Sequence, residues 1–155
     1  MSGRIAKRLQ ELDISLPKPP APVASYVPTV ITGNHIFVSG QVCFDDKGVL
    51  IAGKVGSDLD LDQGKLAARS CAINILAQLQ AALGDLDRVR RCVKLVGFVN
   101  CPPDFKDHPK VINGASDLMV EVFGDAGRHA RSAVGAGSLP LGSAVEIESI
   151  FEIAT

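Results

Sequence analysis

Residues 130–153 read ARSAVGAGSLPLGSAVEIESIFEI, and this stretch decides the fold. It holds two strands. Ala130-Arg131-Ser132-Ala133-Val134 is the first, and Leu139-Pro140-Leu141-Gly142 turns the chain. In the second, Val145, Ile147, Phe151 and Ile153 alternate with Glu146, Glu148, Ile150 and Glu152. A period of two marks a sheet with one packed face and one more polar face.

Working back from there, His108 to Phe123 reads as a helix. Val111, Ala115, Leu118 and Val122 form a stripe widened by Ile112 and Met119, and Gly124 ends it. The apolar run Val93–Val99 predicts a strand buried on both faces, broken by Cys101-Pro102-Pro103. Leu61 to Leu83 is a second long helix, with Leu66, Ile73, Leu76 and Leu83 at helical spacing, Ala and Cys71 on the same side, and Gly84 as its stop. Thr29-Val30-Ile31 and His35–Gly40 flank a Gly33-Asn34 turn and predict a hairpin. Asp45-Asp46-Lys47-Gly48 marks another turn, after which Val49-Leu50-Ile51 is read as a short third strand.

The N-terminal part stands apart. Gly3 to Leu12 reads as a short amphipathic helix with Ile5, Leu9 and Leu12 on one face. The segment Leu16-Pro17-Lys18-Pro19-Pro20-Ala21-Pro22 is too proline-rich for helix or sheet and predicts an extended connector. The expected division is therefore 1–22 for helix and linker, and 23–155 for the main domain. The helix is expected to dock on the body or on a neighbouring subunit. Strand pairs separated by helices suit an α+β fold with one mixed, mostly antiparallel sheet and both long helices on one face. The other face of the sheet would need a partner, so an oligomer is expected.

Bulk properties narrow the function. The chain has 155 residues and a formal net charge of -1, one domain without a basic excess. Nucleic-acid binding is not expected, because sequence-independent binding needs many Lys and Arg contacts. The cluster Arg88, Arg90, Arg91 and Lys94 is short and reads as a solvated strand entry. Four cysteines, Cys43, Cys71, Cys92 and Cys101, form no CxxC pair and no zinc spacing, and read as buried free thiols. The N-terminus lacks the apolar core of a signal peptide, and no run approaches the ~20 apolar residues of a membrane span. A cytoplasmic protein with no membrane association is the expectation.

Chemistry rests on a few residues. Arg131 lies between small residues inside a strand. Its guanidinium is either a surface charge or a fixed fork suited to a planar carboxylate. Glu146 is either a solvated outward residue or a carboxylate that holds a water or shuttles a proton, and Glu148 and Glu152 share its face. Gly40, after Ser39, either permits close backbone approach to a ligand or forms a bulge. Tyr26, the only tyrosine, lines a pocket or caps the core edge. Asn113 sits mid-helix, where its propensity is poor, so a specific hydrogen bond is expected. His35, His108 and His129 are scattered. His129 is two residues from Arg131 and otherwise reads as an ordinary loop histidine.

Together these residues resemble the signature of the Rid (YjgF) family of reactive-intermediate deaminases, also called endoribonuclease L-PSP proteins. The pattern is R-S-x-V-x(4)-L-P-x(4)-V-E-I-E over Arg131–Glu148, supported by Thr32-Gly33-Asn34, Val38-Ser39-Gly40-Gln41 and Asn113. The resemblance covers about Tyr26 to Ile153 and leaves out the N-terminal helix and linker, which resemble the extension of a divergent branch. It implies a chorismate mutase-like fold and a homotrimer whose sheets line a central barrel, with ligand clefts between subunits. It implies that Arg131 clamps the carboxylate of a 2-imino or enamine acid and that Glu146 positions the attacking water. The backbone of Gly40 and Ala133 would line the carboxylate pocket; Ser39, Tyr26 and Asn113 would shape it. No metal or organic cofactor is implied. The reaction would hydrolyse the imine to a 2-keto acid and ammonia. A non-catalytic carboxylate binder or proteostasis protein, and an endoribonuclease, are the competing readings. Four positions depart from the family's common pattern: Ala133 stands for a cysteine, His129 for a proline, and Ala24-Ser25 for Gly-Pro.

Overall fold

The strands and helices form where hydrophobic period and end signals agree. The computed structural model describes residues 3–19, 21 and 24–155. It contains α1 (Arg4–Glu11), β1 (Thr29–Thr32), β2 (His35–Val42), α2 (Leu61–Leu83), β3 (Val89–Asn100), α3 (His108–Phe123), β4 (Ala130–Ala136) and β5 (Val145–Ile153). α2 opens on a capping box. The Asp60 carboxylate accepts from the Gln63 amide and the Gln63 side chain accepts from the Asp60 amide, each at 2.8 Å. It closes on Gly84 at φ 78°, a left-handed conformation that glycine adopts without strain.

The strands build one five-stranded sheet in the order β1-β2-β5-β3-β4. Every neighbouring pair is antiparallel except β3 and β4, which run parallel. α2 and α3 pack against each other and together cover one face. Val145, Ile147, Ser149, Phe151 and Ile153 of β5 point beneath them; Glu146, Glu148, Ile150 and Glu152 point to the open face. Phe37, its cross-strand partner Val30, and Val134 leave apolar surface exposed on the sheet. The sheet is open rather than closed on itself.

The helices touch very closely at one point. A Cβ at Gly114 of α3 would run into the backbone carbonyl of Lys65 in α2. α1 docks on the body of its own chain, with Ile5 and Leu9 inside the hydrophobic core. Its N-terminus is capped from afar. The Asp87 carboxylate accepts from the Arg4 and Ile5 amides at 2.9 and 2.8 Å. Those two bonds, that from Ile5 foremost, hold the Asp87 carboxyl below its usual range. Arg8 Nε donates to the Glu121 carbonyl at 2.7 Å, tying α1 to α3. The expected domain boundary between 22 and 23 lies outside the described residues, as do Pro20 and Pro22 of the connector.

Two expectations need correction. Val49-Leu50-Ile51 does not form a strand; a lone bridge joins Leu50 to Phe44. The segment is too short to build a ladder and belongs to a turn-rich connection. Leu66 is not part of the buried stripe of α2, being 63% exposed. The small residues Gly64, Ala67, Ala68, Cys71 and Ala72 face inward instead, because close helix–helix and helix–sheet contact leaves no room for leucine there. α2 is also long and apolar enough to cross a membrane by length and composition, but here its apolar side is buried against the sheet and α3. The cysteines are free and buried, as expected.

Gly114→Ala should push α3 from α2 and lower stability by about 1–3 kcal/mol, read as a lower midpoint in thermal or urea unfolding. Asp87→Ala should cost about 1 kcal/mol, the usual worth of a helix cap, and should speed hydrogen exchange at the Arg4 and Ile5 amides.

Candidate active site

Arg131 is held by α3. β3 runs parallel to β4, so the chain must cross over between them, and α3 is that crossover. It returns above the edge strand β4. Asn113 and Ser116, three residues apart on α3, therefore face Arg131 on the helix side of the sheet. Arg131 donates from NH1 to Asn113 Oδ1 at 2.7 Å and to Ser116 Oγ at 3.2 Å. Among the described residues nothing accepts from Nε or NH2, so one edge of the fork is uncommitted. Ser116 also meets His129 Nε2 at 2.9 Å, and His129 Nδ1 lies 2.6 Å from the Gly127 carbonyl. Burial lowers the His129 pKa from its ordinary value, and the Arg131 charge pushes the same way against the bond from Gly127. Ala133, two residues along β4, shares the helix-side face and is half-buried.

A second group forms at β2 and β5. The register between these strands skips from Val38↔Ser149 to Gln41↔Ile147, so Ser39 and Gly40 lie in a bulge. Ser39 Oγ donates to the Val27 carbonyl at 2.9 Å and its amide to Pro28 at 2.9 Å, holding the Tyr26 segment against the strand. The Glu146 carboxylate lies directly over Gly40, where any Cβ would strike Oε2. A side chain at this position would displace the end of Glu146, so glycine is what lets the carboxylate settle here. Burial raises the Glu146 pKa above 4.5, and the neighbouring Glu148 charge adds to it. Tyr26, Ser39 and Gly40 also line a groove of about 1270 Å³ that runs under the linker and along α2 past Ile73 and Leu66.

Within one chain the two groups do not meet. Arg131 reaches toward α3 from the edge strand, whereas Glu146 projects from the opposite face with β3 between their strands. The structure thus brings Arg131 together with Asn113 and near Ala133, and Glu146 together with Gly40, Ser39 and the Tyr26 segment. Sequence reading missed Ser116, which had no motif to mark it, and set His129 aside. Their signal was spatial: a helix residue and a loop residue that converge only once α3 folds over β4. Among the described residues no group of three or more His, Cys, Asp or Glu side chains could hold a metal ion.

Comparison with known proteins places this arrangement. Residues 6–153 match the family model described as "YjgF/chorismate mutase-like, putative endoribonuclease". The chain is 50% identical to protein TCP17 of Trypanosoma cruzi over 98% of this chain and 96% of that one. It is 30% identical to a 2-iminobutanoate/2-iminopropanoate deaminase of Dermatophagoides farinae, over 90% and 94% of the two chains. A crystal structure of a protein of unknown function from Agrobacterium tumefaciens superposes with a TM-score of 0.90 at 48% identity, covering 97% of this chain and 92% of that one. The mixed sheet with its overlying helices, and the match along nearly the whole chain, lead to one conclusion: this chain belongs to the YjgF/chorismate mutase-like family.

Proposed function

We propose that this protein is a cofactor-independent deaminase that hydrolyses reactive 2-imino acids, and their enamine tautomers, to 2-keto acids and ammonia. The observation that carries the reading is the Arg131 fork. Its NH1 is fixed by Asn113 and Ser116, and its free Nε–NH2 edge has the geometry that takes both oxygens of a carboxylate. A substrate of this class carries that carboxylate next to the C=N carbon. Holding it fixes where the carbon sits, which is the larger part of the catalytic task because the imine is already electrophilic.

Glu146 supplies the remaining function. Its carboxylate takes a proton from water as the water oxygen adds to the carbon of the N-protonated imine, giving a neutral carbinolamine. Glu146 returns that proton to the nitrogen, then takes the hydroxyl proton as the C=O bond forms and the C–N bond breaks; ammonia leaves with the 2-keto acid and picks up the proton left on Glu146 as ammonium. Half-burial over Gly40 favours this use, since it raises basicity toward the working range of a general base. Arg131 and Glu146 lie on opposite faces of one sheet, so the reading requires that they come from neighbouring copies. We place the site in clefts between subunits of a homotrimer, whose contact is the apolar open face around Phe37 and Val134. A cytoplasmic setting suits free buried thiols. The net charge of -1 weighs against an endoribonuclease.

With an imino acid generated in place by an amino-acid oxidase, the purified protein should speed keto-acid release. Arg131→Ala should lower kcat/KM by about 10²-fold or more, since two charge-assisted bonds to the carboxylate are lost. Binding of a 2-keto acid without any acceleration of imine hydrolysis would instead identify a non-catalytic carboxylate binder. Sedimentation should give the mass of three chains.

The pH profile gives a separate check on Glu146. Its charged form is the base, so kcat/KM should fall as pH drops through a value above 4.5. Glu148→Gln removes the like charge and should move that acid limb to lower pH. An unmoved limb would remove Glu146 from the role.

A further inference from the structure

His129 belongs to neither the substrate clamp nor the water site, yet through Ser116, one of the two anchors of Arg131, it forms a directed chain onto the guanidinium. The direction follows from the acceptor at its far end. The Gly127 carbonyl can only accept, so His129 Nδ1 carries the proton of the 2.6 Å contact. A neutral imidazole then has a lone pair on Nε2, which accepts the Ser116 hydroxyl proton at 2.9 Å. With its proton so engaged, Ser116 turns its oxygen lone pairs to Arg131 NH1 at 3.2 Å. Asn113 Oδ1 takes the other NH1 proton at 2.7 Å. Both protons of NH1 are used, and the guanidinium plane is fixed by two anchors on one helix. Without His129 the Ser116 hydroxyl rotates freely and ceases to be a fixed acceptor.

We infer that His129, acting through Ser116, is a positioning residue for Arg131, turning the Nε–NH2 edge of the fork toward the substrate carboxylate. The inference rests on the carboxylate-clamp reading proposed above. It assigns the histidine a task in substrate affinity rather than in bond making. Two further consequences follow. His129 acts as the neutral Nδ1–H tautomer, and glutamine, whose Oε1 can accept the Ser116 hydroxyl proton, can replace it.

The test uses the full-length protein, titrated calorimetrically with 2-oxobutanoate and assayed for imine hydrolysis. His129→Ala and Ser116→Ala should each raise Kd and KM about tenfold, the worth of one anchoring bond to a charged group, with kcat little changed. His129→Gln should restore both constants to near the wild-type values. Nitrogen NMR of the imidazole should show Nδ1 protonated and Nε2 bare. If Arg131→Ala abolishes binding while His129→Ala and Ser116→Ala bind as the wild type does, the positioning role is overturned and the clamp stands. Should Arg131→Ala itself bind normally, the clamp reading fails and takes the inference with it. A loss confined to His129→Ala, with Ser116→Ala unaffected, also overturns the relay, as does a His129→Gln variant as weak as the alanine form. Thermal midpoints of all four variants separate these outcomes from misfolding.

Discussion

A parallel strand pair cannot be closed by a tight turn, and the rest of the molecule is arranged around that constraint. Among the described residues β3 and β4 are the only parallel neighbours in the sheet, and their connection must climb over it and return. α3 makes the crossing. Its inner stripe, from Val111 and Ile112 to Leu118 and Met119, is buried against the sheet and α2. The rim of the same helix then has to lie over the edge strand. Asn113 and Ser116 occupy that rim, and Arg131 is the β4 residue beneath them. The guanidinium is therefore held by the topology itself. Its anchors and the helix that carries the core are one element. Gly114 sits between them in sequence, allowing α3 to touch the α2 backbone at Lys65. Loss of that contact would move the anchors as well as loosen the core.

The second constraint is local. In a regular antiparallel pair, Ser39 and Gly40 would be committed to β5. The bulge releases them, and the missing side chain of Gly40 lets the Glu146 carboxylate lie over the backbone. That position removes water from one side of Glu146 and so raises its basicity. Glu148, one alternation further along β5, is more exposed and adds only its charge. Three outward glutamates thus become chemically distinct through a neighbour on another strand.

The sequence disclosed what is periodic or punctuated. The alternation in Val145–Ile153 gave that strand its bounds and its faces. Gly84 and Gly124 ended the long helices where helical spacing ran out. Arg131 and Glu146 stand in a motif that is legible along one continuous stretch of chain. Contacts between elements were not legible. Leu66 has the spacing of a core residue, but the inward side of α2 is chosen by how closely its neighbours approach, and that favours alanine and glycine. Asp87 caps a helix that begins 83 residues earlier. Ser116 looks like any polar residue of an amphipathic helix. Asn113 was noticed because its helix propensity is poor, a local cost that a distant hydrogen bond offsets.

The separation of the two polar groups explains why one chain is an incomplete unit on the proposed reading. A sheet is a barrier about one backbone thick, and side chains from its two faces do not meet across it. Arg131 is committed to the helix side by its bonds to α3, while Glu146 is committed to the open side by the alternation that buries Val145 and Ile147. Glu146 cannot be turned over without moving β5 by one residue and exposing its buried set. The same alternation leaves Phe37, Val30 and Val134 facing outward with no cover from their own helices. Apolar exposure and divided chemistry therefore have one origin, a sheet covered on one side. Association through the bare face would remove the first defect, and in a ring of copies each edge strand could be carried to a neighbour's bulge, removing the second.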